Sequence, residues 1–507
     1  MTVSRRHFMQ GLTGLLAHEA SAALAKPPLH PAGSPLNAIY DQILRHHAEA
    51  TSRLQTWIRQ PSVNAEGLGM TEGCELLQRM CREAGFDSVQ KVATPGAPAV
   101  FAQLHAGAPR TLAVYFMYDV KQANPQEWSS PPFAGALVTV PGVGKVVMGR
   151  GALNQKGPQS ALLAALHAIR AAGQKLPVNL VLIAEGEEED GSVNLPQVVR
   201  RPEITQALLG CQGLLLAGAD QELDGGVEIA LGAKGCLEVE LIASGQRWQR
   251  GPRDRDIHSA AAPMVDSPVW HLVQALGTLV TPDGNDVAIA GVEAMVRPLT
   301  ARDRAMLADK AKRTDEQALK DELSVSRWAR DLPYQQSLER LAGRPSINIQ
   351  GIVAGYGGPG GKTILPHQAL AKLDLRLVPD MKGKTTLQAL RSHLTARGFA
   401  DIEVRELSSY DPTTTAADSR IVQAALRVYR SYGIEPILSP RADSSWPGYL
   451  FTEAPLNLPA IEFGLGYGQG EHSRDEYYLV DSATPKVMGL AGAVRSFVDF
   501  LYTFAAV

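Results

Sequence analysis

Cysteine is scarce in this chain of 507 residues, which contains four and has no Cys-x-x-Cys pair. So few cysteines exclude a fold held together by disulfides, and the missing pair argues against a structural zinc knuckle. Cys74 and Cys81 lie in one predicted helix, where two turns separate their Cα atoms by roughly 10 Å, too far for a disulfide. A disulfide between Cys211 and Cys236 stays open at this point.

A dominant charge of either sign is also absent. The 49 Lys and Arg residues nearly balance 52 Asp and Glu residues, which leaves a formal net charge of −3. A chain so balanced lacks the electrostatic footprint of a protein that binds nucleic acid or an anionic membrane surface. We therefore expect no nucleic-acid partner.

Long hydrophobic runs are missing as well. No stretch approaches the ~18–20 uninterrupted apolar residues that a membrane-spanning helix needs, so we expect no membrane span. Hydrophobic residues nevertheless make up 45% of the chain and charged residues 20%, which is typical of a folded globular protein. Because domains cluster near ~100–200 residues, the length predicts two or more compact units.

The first 25 residues have the pattern of an export signal. Arg5 and Arg6 precede a modest apolar stretch, residues 11–25, which ends in the small-residue sequence Ala-Leu-Ala. A charged segment, a short apolar segment and a small-residue cleavage site form the layout of a secretory signal. The paired arginines resemble a twin-arginine signal and predict a mature chain in the periplasm, cleaved after Ala25. The alternative is a frayed basic N-terminus.

Strands and helices are predicted to alternate over the first half of the mature chain. Short apolar runs typical of buried strands occur at residues 99–104, 111–116, 145–148, 179–183 and 213–216. Helical periodicity falls between them, notably after Pro158, which suits a first helical turn. This alternation predicts an α/β sheet with helices over its faces.

The sequence pattern changes near residue 235 and the first pattern returns after residue 408. Two longer strands are predicted inside this region, at residues 236–244 and 369–378. We therefore predict an α/β sheet-and-helix domain, formed by residues 26–235 and 409–507, that is interrupted by an inserted α+β domain, residues 236–408.

Four polar segments are expected to form loops beside the predicted strands. The densest is the acidic run at residues 185–192, directly after the strand at 179–183. An acidic run alone is usually a solvated face, but loops at the carboxyl ends of strands in an α/β sheet commonly carry metal ligands. The other segments are residues 118–120, 149–157 and 470–476, the last with a histidine.

Eight short motifs follow one another in an order found in a known family. They are Tyr118-Asp119-Val120, Glu127-Trp128 with Pro131-Pro132-Phe133, Gly149-Arg150-Gly151-Ala152, Lys156-Gly157, Glu188-Glu189-Asp190-Gly191-Ser192, Asp256-Ile257-His258-Ser259, Arg376-Leu377-Val378-Pro379 and His472 through Glu476. In these motifs the chain resembles the zinc exopeptidase family of aminoacylase, carnosinase and succinyl-diaminopimelate desuccinylase, most closely its carnosinase-like branch. The resemblance implies a catalytic α/β domain with two metal ions and an inserted lid domain that often mediates dimerisation.

The resemblance also implies roles for five residues. Glu188 matches the general base that activates a metal-bound water, while Glu189 and His472 match metal ligands. His258, in the inserted domain, matches a histidine that stabilises the oxyanion, often in the neighbouring subunit. Arg376 matches an arginine that binds the substrate carboxylate, a task suited to its bidentate guanidinium fork.

Several positions depart from the family pattern. Asp119 is retained as the supporting carboxylate, but the ligand histidine two residues before it is Met117. The aspartate that bridges the two metals is Asn154, and a third ligand position is Gly218, with Asp220 two residues beyond it as a candidate replacement. A Gly-Gly-Ser stretch near the substrate is here Asp-Ser-Ser, which ends at Ser445.

These departures weaken the expected metal centre. A neutral thioether is a poor ligand for a site of nitrogen and oxygen donors, and an amide oxygen brings no charge. The metal position whose ligands would have to come from Met117, Asn154 and Gly218 is therefore expected to be empty. The other position keeps Glu189 and His472 with Asn154 as a weak third ligand, so we expect at most one zinc or other divalent metal, and metal-free function stays open.

Three interpretations follow. The first is a periplasmic hydrolase that cleaves an amide bond of a small peptide or N-acyl amino acid, with Glu188 as base and His258 at the oxyanion. The second is a metal-free enzyme of different chemistry on the same scaffold. The third is a non-catalytic relative that binds an amino-acid-like ligand or a partner. A homodimer through the inserted domain and a monomer both stay open.

Overall fold

The computed structural model describes residues 34–507. The fold class expected from the sequence, α/β with an inserted α+β unit, is confirmed. The export signal predicted at residues 1–25 lies outside the described residues. Within residues 34–507, no helix is both long and apolar enough to cross a membrane.

The helices and strands of the described residues follow one another along the whole chain. The helices are α1 Pro35–Arg45, α2 His47–Arg59, α3 Met70–Ala84, α4 Gly157–Ala171, α5 Leu195–Val199, α6 Pro202–Leu209, α7 Gly245–Trp248, α8 Pro268–Gly277, α9 Ala301–Arg313, α10 Glu316–Glu322, α11 Tyr334–Gly343, α12 Gly383–Ala396, α13 Arg420–Ser431, α14 Tyr449–Thr452 and α15 Leu490–Ala506. The strands are β1 Ser88–Val92, β2 Ala99–Leu104, β3 Thr111–Met117, β4 Ala136–Val140, β5 Gly144–Met148, β6 Asn179–Glu185, β7 Leu214–Ala217, β8 Glu228–Ala230, β9 Gly235–Ser244, β10 Ile257–His258, β11 Ser346–Ala354, β12 Ile364–Leu365, β13 Gln368–Leu377, β14 Glu403–Tyr410, β15 Ile437–Ser439, β16 Ala460–Phe463, β17 Gly468–Gln469 and β18 Tyr477–Ser482.

The main sheet has six strands in the order β1-β2-β6-β3-β7-β16. Strands β6, β3, β7 and β16 are parallel, whereas β2 pairs antiparallel with both β6 and β1. Alternate side chains of β3 enter two cores. Leu112, Val114 and Phe116 pack with α4 and α15 on one face, and Ala113 and Tyr115 pack with α5 and α6 on the other. A strand buried on both faces must be apolar throughout, which explains its continuous hydrophobic sequence.

The inserted unit has a sheet and a core of its own. Its four strands pair antiparallel in the order β11-β13-β9-β14, and α8 and α12 pack against them. Leu241 and Leu373 from the sheet meet Leu272 and Leu390 from these helices in a separate apolar cluster. Strand β11 is an edge of this sheet and is largely exposed.

A third sheet, in the order β17-β18-β5-β4, brings two polar loops together. Strands β18 and β5 are antiparallel, with Tyr477 opposite Met148. The chain leaves β5 into residues 149–157 and enters β18 from residues 470–476, so these loops lie side by side.

The cysteines form no disulfide in the described residues. Cys211 and Cys236, whose pairing the sequence left open, are free and buried, as are Cys74 and Cys81.

Candidate functional site

The candidate site lies where the parallel strands of the main sheet end. Strands β3, β6 and β7 share one direction, so the residues that follow them reach the same edge of the sheet. Met117 is the last residue of β3, Glu188 and Glu189 lie in a short turn after β6, and Gly218 directly follows β7. Residues that are distant in the sequence are thereby brought together.

A buried carboxylate fixes the loop that carries Asn154. Glu476 accepts hydrogen bonds from the backbone N–H groups of Gly151, Leu153 and Asn154, each at 2.9 Å. It also pairs with the Arg150 guanidinium at 2.8 Å, and both side chains are almost fully buried. The position of Asn154 is therefore set by backbone contacts and does not depend on its own side chain.

Glu189, Asn154 and His472 form one contact cluster. The Asn154 side-chain amide donates to Glu189 Oε1 at 2.9 Å and lies 3.1 Å from His472 Nε2. His472 Nε2 lies 3.1 Å from Glu189 Oε2, and this hydrogen bond raises the pKa of the imidazole. The three residues that the sequence assigned to the remaining metal position are therefore in direct contact with one another.

Lys121 joins this cluster and was not predicted from the sequence. Its ammonium nitrogen lies 3.4 Å from Glu189 Oε2 and also donates to the backbone carbonyl of Glu189. The partners are 68 positions apart in the chain, so no local pattern links them. The only signal in the sequence is a lysine two residues after Asp119, at the end of a buried strand.

The acidic run divides into structural and cavity-facing carboxylates. Glu185 accepts hydrogen bonds from Tyr115 and Ser192, and Glu187 accepts them from the backbone N–H groups of Ala97 and Asn194. These two carboxylates therefore hold the surrounding chain in place. Glu188 instead lines a large cavity at this edge of the sheet, and Glu189 contacts Asn154 and His472.

Buried carboxyl groups repel one another at this edge of the sheet. Asp119 accepts the backbone N–H of Glu189 at 3.0 Å, and its pKa is raised, first by burial and then by the charges of Glu189 and Glu185. Burial also raises the pKa of Glu188, with further contributions from Glu189 and Asp119. Both groups consequently retain protons to higher pH than ordinary carboxyl groups.

A cavity of about 710 Å³ connects these residues with the inserted unit. Arg376, on β13, reaches into it and donates from Nη1 to Ser445 Oγ at 3.1 Å. Glu188, Met117 and His472 line the same cavity. A cation, a carboxyl group and an imidazole therefore line one open cavity.

His258 does not line this cavity. It lies on the exposed two-stranded ribbon β10–β12, where its Nδ1 accepts the backbone N–H of Ala260 at 3.1 Å. Within a single chain, therefore, the cavity is lined without this histidine, and its role stays a prediction that requires a second subunit.

Two further carboxyl groups occupy the space beside Gly218. A Cβ atom added to Gly218 would lie 2.2 Å from Asp220 Oδ1 and 2.6 Å from Glu462 Cγ. Asp220 Oδ2 accepts hydrogen bonds from the Tyr429 hydroxyl at 2.6 Å and the backbone N–H of Gly464 at 3.1 Å. Asp220 and Glu462 thus occupy the space that the Cβ atom of an aspartate at position 218 would need. Glu462 was not predicted from the sequence.

Comparison with known protein families assigns the chain to a class. Residues 114–496 match the model of Peptidase family M20/M25/M40. The match spans more than half of the sequence and includes the motifs and the inserted unit. The chain belongs to this peptidase family.

Curated relatives cover most of the chain. It is 26% identical over 475 residues to the Cys-Gly metallodipeptidase DUG1 of Saccharomyces cerevisiae, an alignment that covers 87% of this chain and 94% of the yeast protein. It is 27% identical over 470 residues to the Beta-Ala-His dipeptidase of Homo sapiens, which covers 87% of this chain and 88% of the human protein.

Solved structures share the fold. The M20 family metallo-carboxypeptidase Sso-CP2 from Sulfolobus solfataricus superposes with a TM-score of 0.80 at 30% identity, over 90% of this chain and 100% of that chain. Human carnosine dipeptidase 1 superposes with a TM-score of 0.75 at 25% identity, over 93% and 100% of the two chains. The resemblance inferred from the motifs is confirmed.

Family membership implies dependence on a divalent metal, but the donors in this chain do not fit a two-metal centre. Met117 offers only a thioether and Gly218 has no side chain. In residues 34–507, no group of three His, Cys, Asp or Glu side chains is arranged to hold a metal ion. The remaining strong donors, Glu189 and His472, already bond to each other and to Asn154.

Proposed function

We propose that the chain hydrolyses an amide bond of a small peptide or an N-acyl amino acid. The observation that carries the proposal is the cavity of about 710 Å³ that joins Glu188 to the pair Arg376 and Ser445. Its walls offer a carboxyl group for proton transfer and a cation for a substrate carboxylate. Membership in a peptidase family that includes metallodipeptidases supports the same reaction.

Arg376 and Glu188 have separate roles in the proposed reaction. The Arg376 guanidinium binds the substrate carboxylate, while its contact with Ser445 limits its rotation. Glu188, as the carboxylate, accepts a proton from water as the water oxygen bonds to the amide carbon. It then returns that proton to the leaving nitrogen as the C–N bond breaks. The products are a free amine and a carboxylic acid.

The proposed hydrolysis needs at most one divalent metal ion. The donors support at most one divalent cation, zinc or another, between Glu189 and His472 with Asn154 as a weak third ligand. Proton transfer by Glu188 and carboxylate binding by Arg376 pass through no metal ion.

A second subunit is also proposed. Strand β11 offers an open edge with Ile352 and Val353 exposed to 49% and 68%. Pairing of this edge with the same edge of another copy would satisfy its open backbone N–H and C=O groups, and an exposed apolar edge readily adds a strand. Such a homodimer would let the exposed His258 of one subunit reach the partner cavity and donate to the oxyanion. Chain mass in solution, measured by light scattering, tests this proposal.

We also propose that the protein is exported to the periplasm. Arg5 and Arg6 followed by the apolar residues 11–25 support export to the periplasm through the twin-arginine route. Replacement of both arginines with lysine should retain the protein in the cytoplasm, as measured by cell fractionation. Equal periplasmic amounts of both forms would contradict the proposal.

A non-catalytic binding function is the second candidate. The observation that favours it is the Glu189 carboxylate, which is already bonded to Asn154, His472 and Lys121. In this case the Arg376 cavity would bind amino-acid-like ligands without turnover.

One experiment separates the two candidates. Purified protein is incubated with panels of dipeptides and N-acyl amino acids, and released amino acid is measured by chromatography. Hydrolysis predicts release that falls by ~10²–10⁴-fold in Glu188→Gln, the range for loss of a general base. The exposed Glu66→Gln is the matched control. Ligand binding without any release would refute hydrolysis and support the binding function.

A further inference from the structure

We propose that the ammonium group of Lys121 takes the place of a metal ion at this centre, so that the chain keeps its Glu189 cluster without a divalent metal. The inference goes beyond the proposed function. It concerns which charge stabilises the site, and it applies whether or not an amide is cleaved. Its starting point is the disagreement between the family's two-metal centre and the donors present in this chain.

Glu189 needs a positive partner because of its burial. Its side chain is only 5% exposed, whereas that of Lys121 is 34% exposed. A carboxylate removed from water is costly unless it is paired and hydrogen-bonded. Lys121 supplies the charge at 3.4 Å and bonds the Glu189 backbone carbonyl as well.

The other two contacts complete the shell of Glu189. Asn154 occupies Oε1 at 2.9 Å, and His472 occupies Oε2 at 3.1 Å. Both oxygens of the carboxylate therefore have partners from the chain itself, and the Lys121 ammonium compensates the charge of Glu189, as a metal ion would.

A metal ion at this position would meet two obstacles. It would share Glu189 Oε2 with the Lys121 ammonium, and like charges at such short range repel each other. It would also lack the second carboxylate that an aspartate at position 154 would provide, because an amide oxygen carries no charge. Removal of the lysine and restoration of that carboxylate should therefore act together.

Metal binding itself is the test, without any substrate. The proteins compared are the wild type, Lys121→Met, Asn154→Asp and the double variant, each titrated with zinc chloride or manganese chloride by calorimetry. Bound metal is also measured by elemental mass spectrometry after purification without chelator. Lys91→Met is the matched control, because Lys91 pairs with Glu75 at 3.8 Å on the surface.

The wild type and the Lys91→Met control should contain well below one equivalent of metal. The double variant should bind one zinc ion with a Kd at least ~10–100-fold lower than that of the wild type, the range in which contacts around metal ligands act. Lys121→Arg, which keeps the charge, should behave as the wild type. If Lys121→Met does not fold, Lys121→Gln replaces it in the same comparison.

Two results would overturn the inference. One is a full equivalent of zinc or manganese in the wild type. The other is a folded double variant that binds zinc no more tightly than the wild type. Because neither readout uses turnover, failure of the proposed hydrolysis would leave this test intact.

Discussion

Arg376 and Ser445 meet across the cavity at 3.1 Å, and they come from different parts of the fold. Arg376 belongs to strand β13 of the inserted unit, and Ser445 to the segment between β15 and α14. The cation proposed to bind the substrate is therefore held from both sides of the cleft. Its geometry depends on contact between the two units as well as on its own strand.

Replacement of Arg376 with lysine should weaken binding of carboxylate ligands by ~10-fold or more, because a single ammonium cannot make the bidentate contact of a guanidinium. Calorimetry with an N-acyl amino acid and its carboxamide analogue measures the effect. The wild type should prefer the carboxylate, and Arg376→Lys should lose most of that preference. Arg405→Lys, exposed on the nearby strand β14, is the control. Equal wild-type affinity for both ligands would contradict the assignment.

Loss of the Glu476 carboxylate should destabilise the whole protein. Glu476→Ala leaves Arg150 buried without its ion-pair partner and removes the acceptor of three backbone N–H groups. Breaking a buried ion pair by removal of one partner typically costs about 3–5 kcal/mol in the free energy of unfolding.

Urea unfolding of Glu476→Ala measures this cost. The control is Glu49→Ala, which removes an exposed pair with Arg53 at 3.4 Å and should cost about 0.5 kcal/mol or less. Similar losses in both variants would show that the buried anchor does not stabilise the fold.

Glu185 should make stability fall as pH rises. Burial raises its pKa to about 8, and its Oε2 atom has no hydrogen-bond partner within the described part of the chain. Between the unfolded pKa near ~4.3 and the folded value, the unfolded chain is ionised while the folded chain keeps the proton. Folding then takes up a proton, so this group lowers stability by about 1.4 kcal/mol per pH unit across that window.

Unfolding free energies measured from about pH 5 to pH 8 test this sign, because Glu185→Gln removes the titrating group and keeps the shape. The free energy of unfolding of the variant, relative to that of the wild type, should increase steadily as pH rises and level off above about pH 8. Glu66→Gln, at an exposed position, serves as reference. Parallel curves for wild type and Glu185→Gln would refute the raised pKa.

Addition of a methyl group at Gly218 should destabilise the protein by about 1–3 kcal/mol, as overpacking of a filled space does. The new Cβ would meet Asp220 and Glu462 at well below contact distance. Thermal unfolding of Gly218→Ala measures the loss, and Glu462→Ala in the same chain should recover part of it. Gly351→Ala, where a Cβ meets no atom within 4 Å, should be nearly neutral. If the Gly218→Ala/Glu462→Ala variant lost as much stability as Gly218→Ala alone, the strain would not come from contact with Glu462.

The strands predicted from short apolar runs agree closely with the structure, because each run is a local signal. The apolar run at residues 99–104 is β2 itself, and the strand predicted at 111–116 gains one residue, Met117. Apolar residues recur at helical spacing throughout residues 37–59, but this segment forms two helices that separate at His46. Their apolar faces repeat with one period, so the break leaves no mark in the pattern.

The site was harder to predict, since its contacts depend on tertiary structure. Motifs led to Glu189, His472 and Asn154, which do meet one another. Lys121 and Glu462 belong to no motif, and their partners are brought close only by the ends of parallel strands. Residue types at known positions can indicate a lost ligand, whereas the group that replaces it is visible only in three dimensions.

The Glu476 anchor also bears on how such a protein can diverge. Where the ion itself orders a ligand loop, a single lost ligand disorders the loop, and further change is selected against as misfolding. Here the Glu476 carboxylate binds the backbone N–H groups of the loop, so the residue at position 154 can change while the chain still folds. A lineage with this anchor can therefore exchange the residue at position 154 by a single substitution, and selection then acts on a protein whose site loop is still ordered.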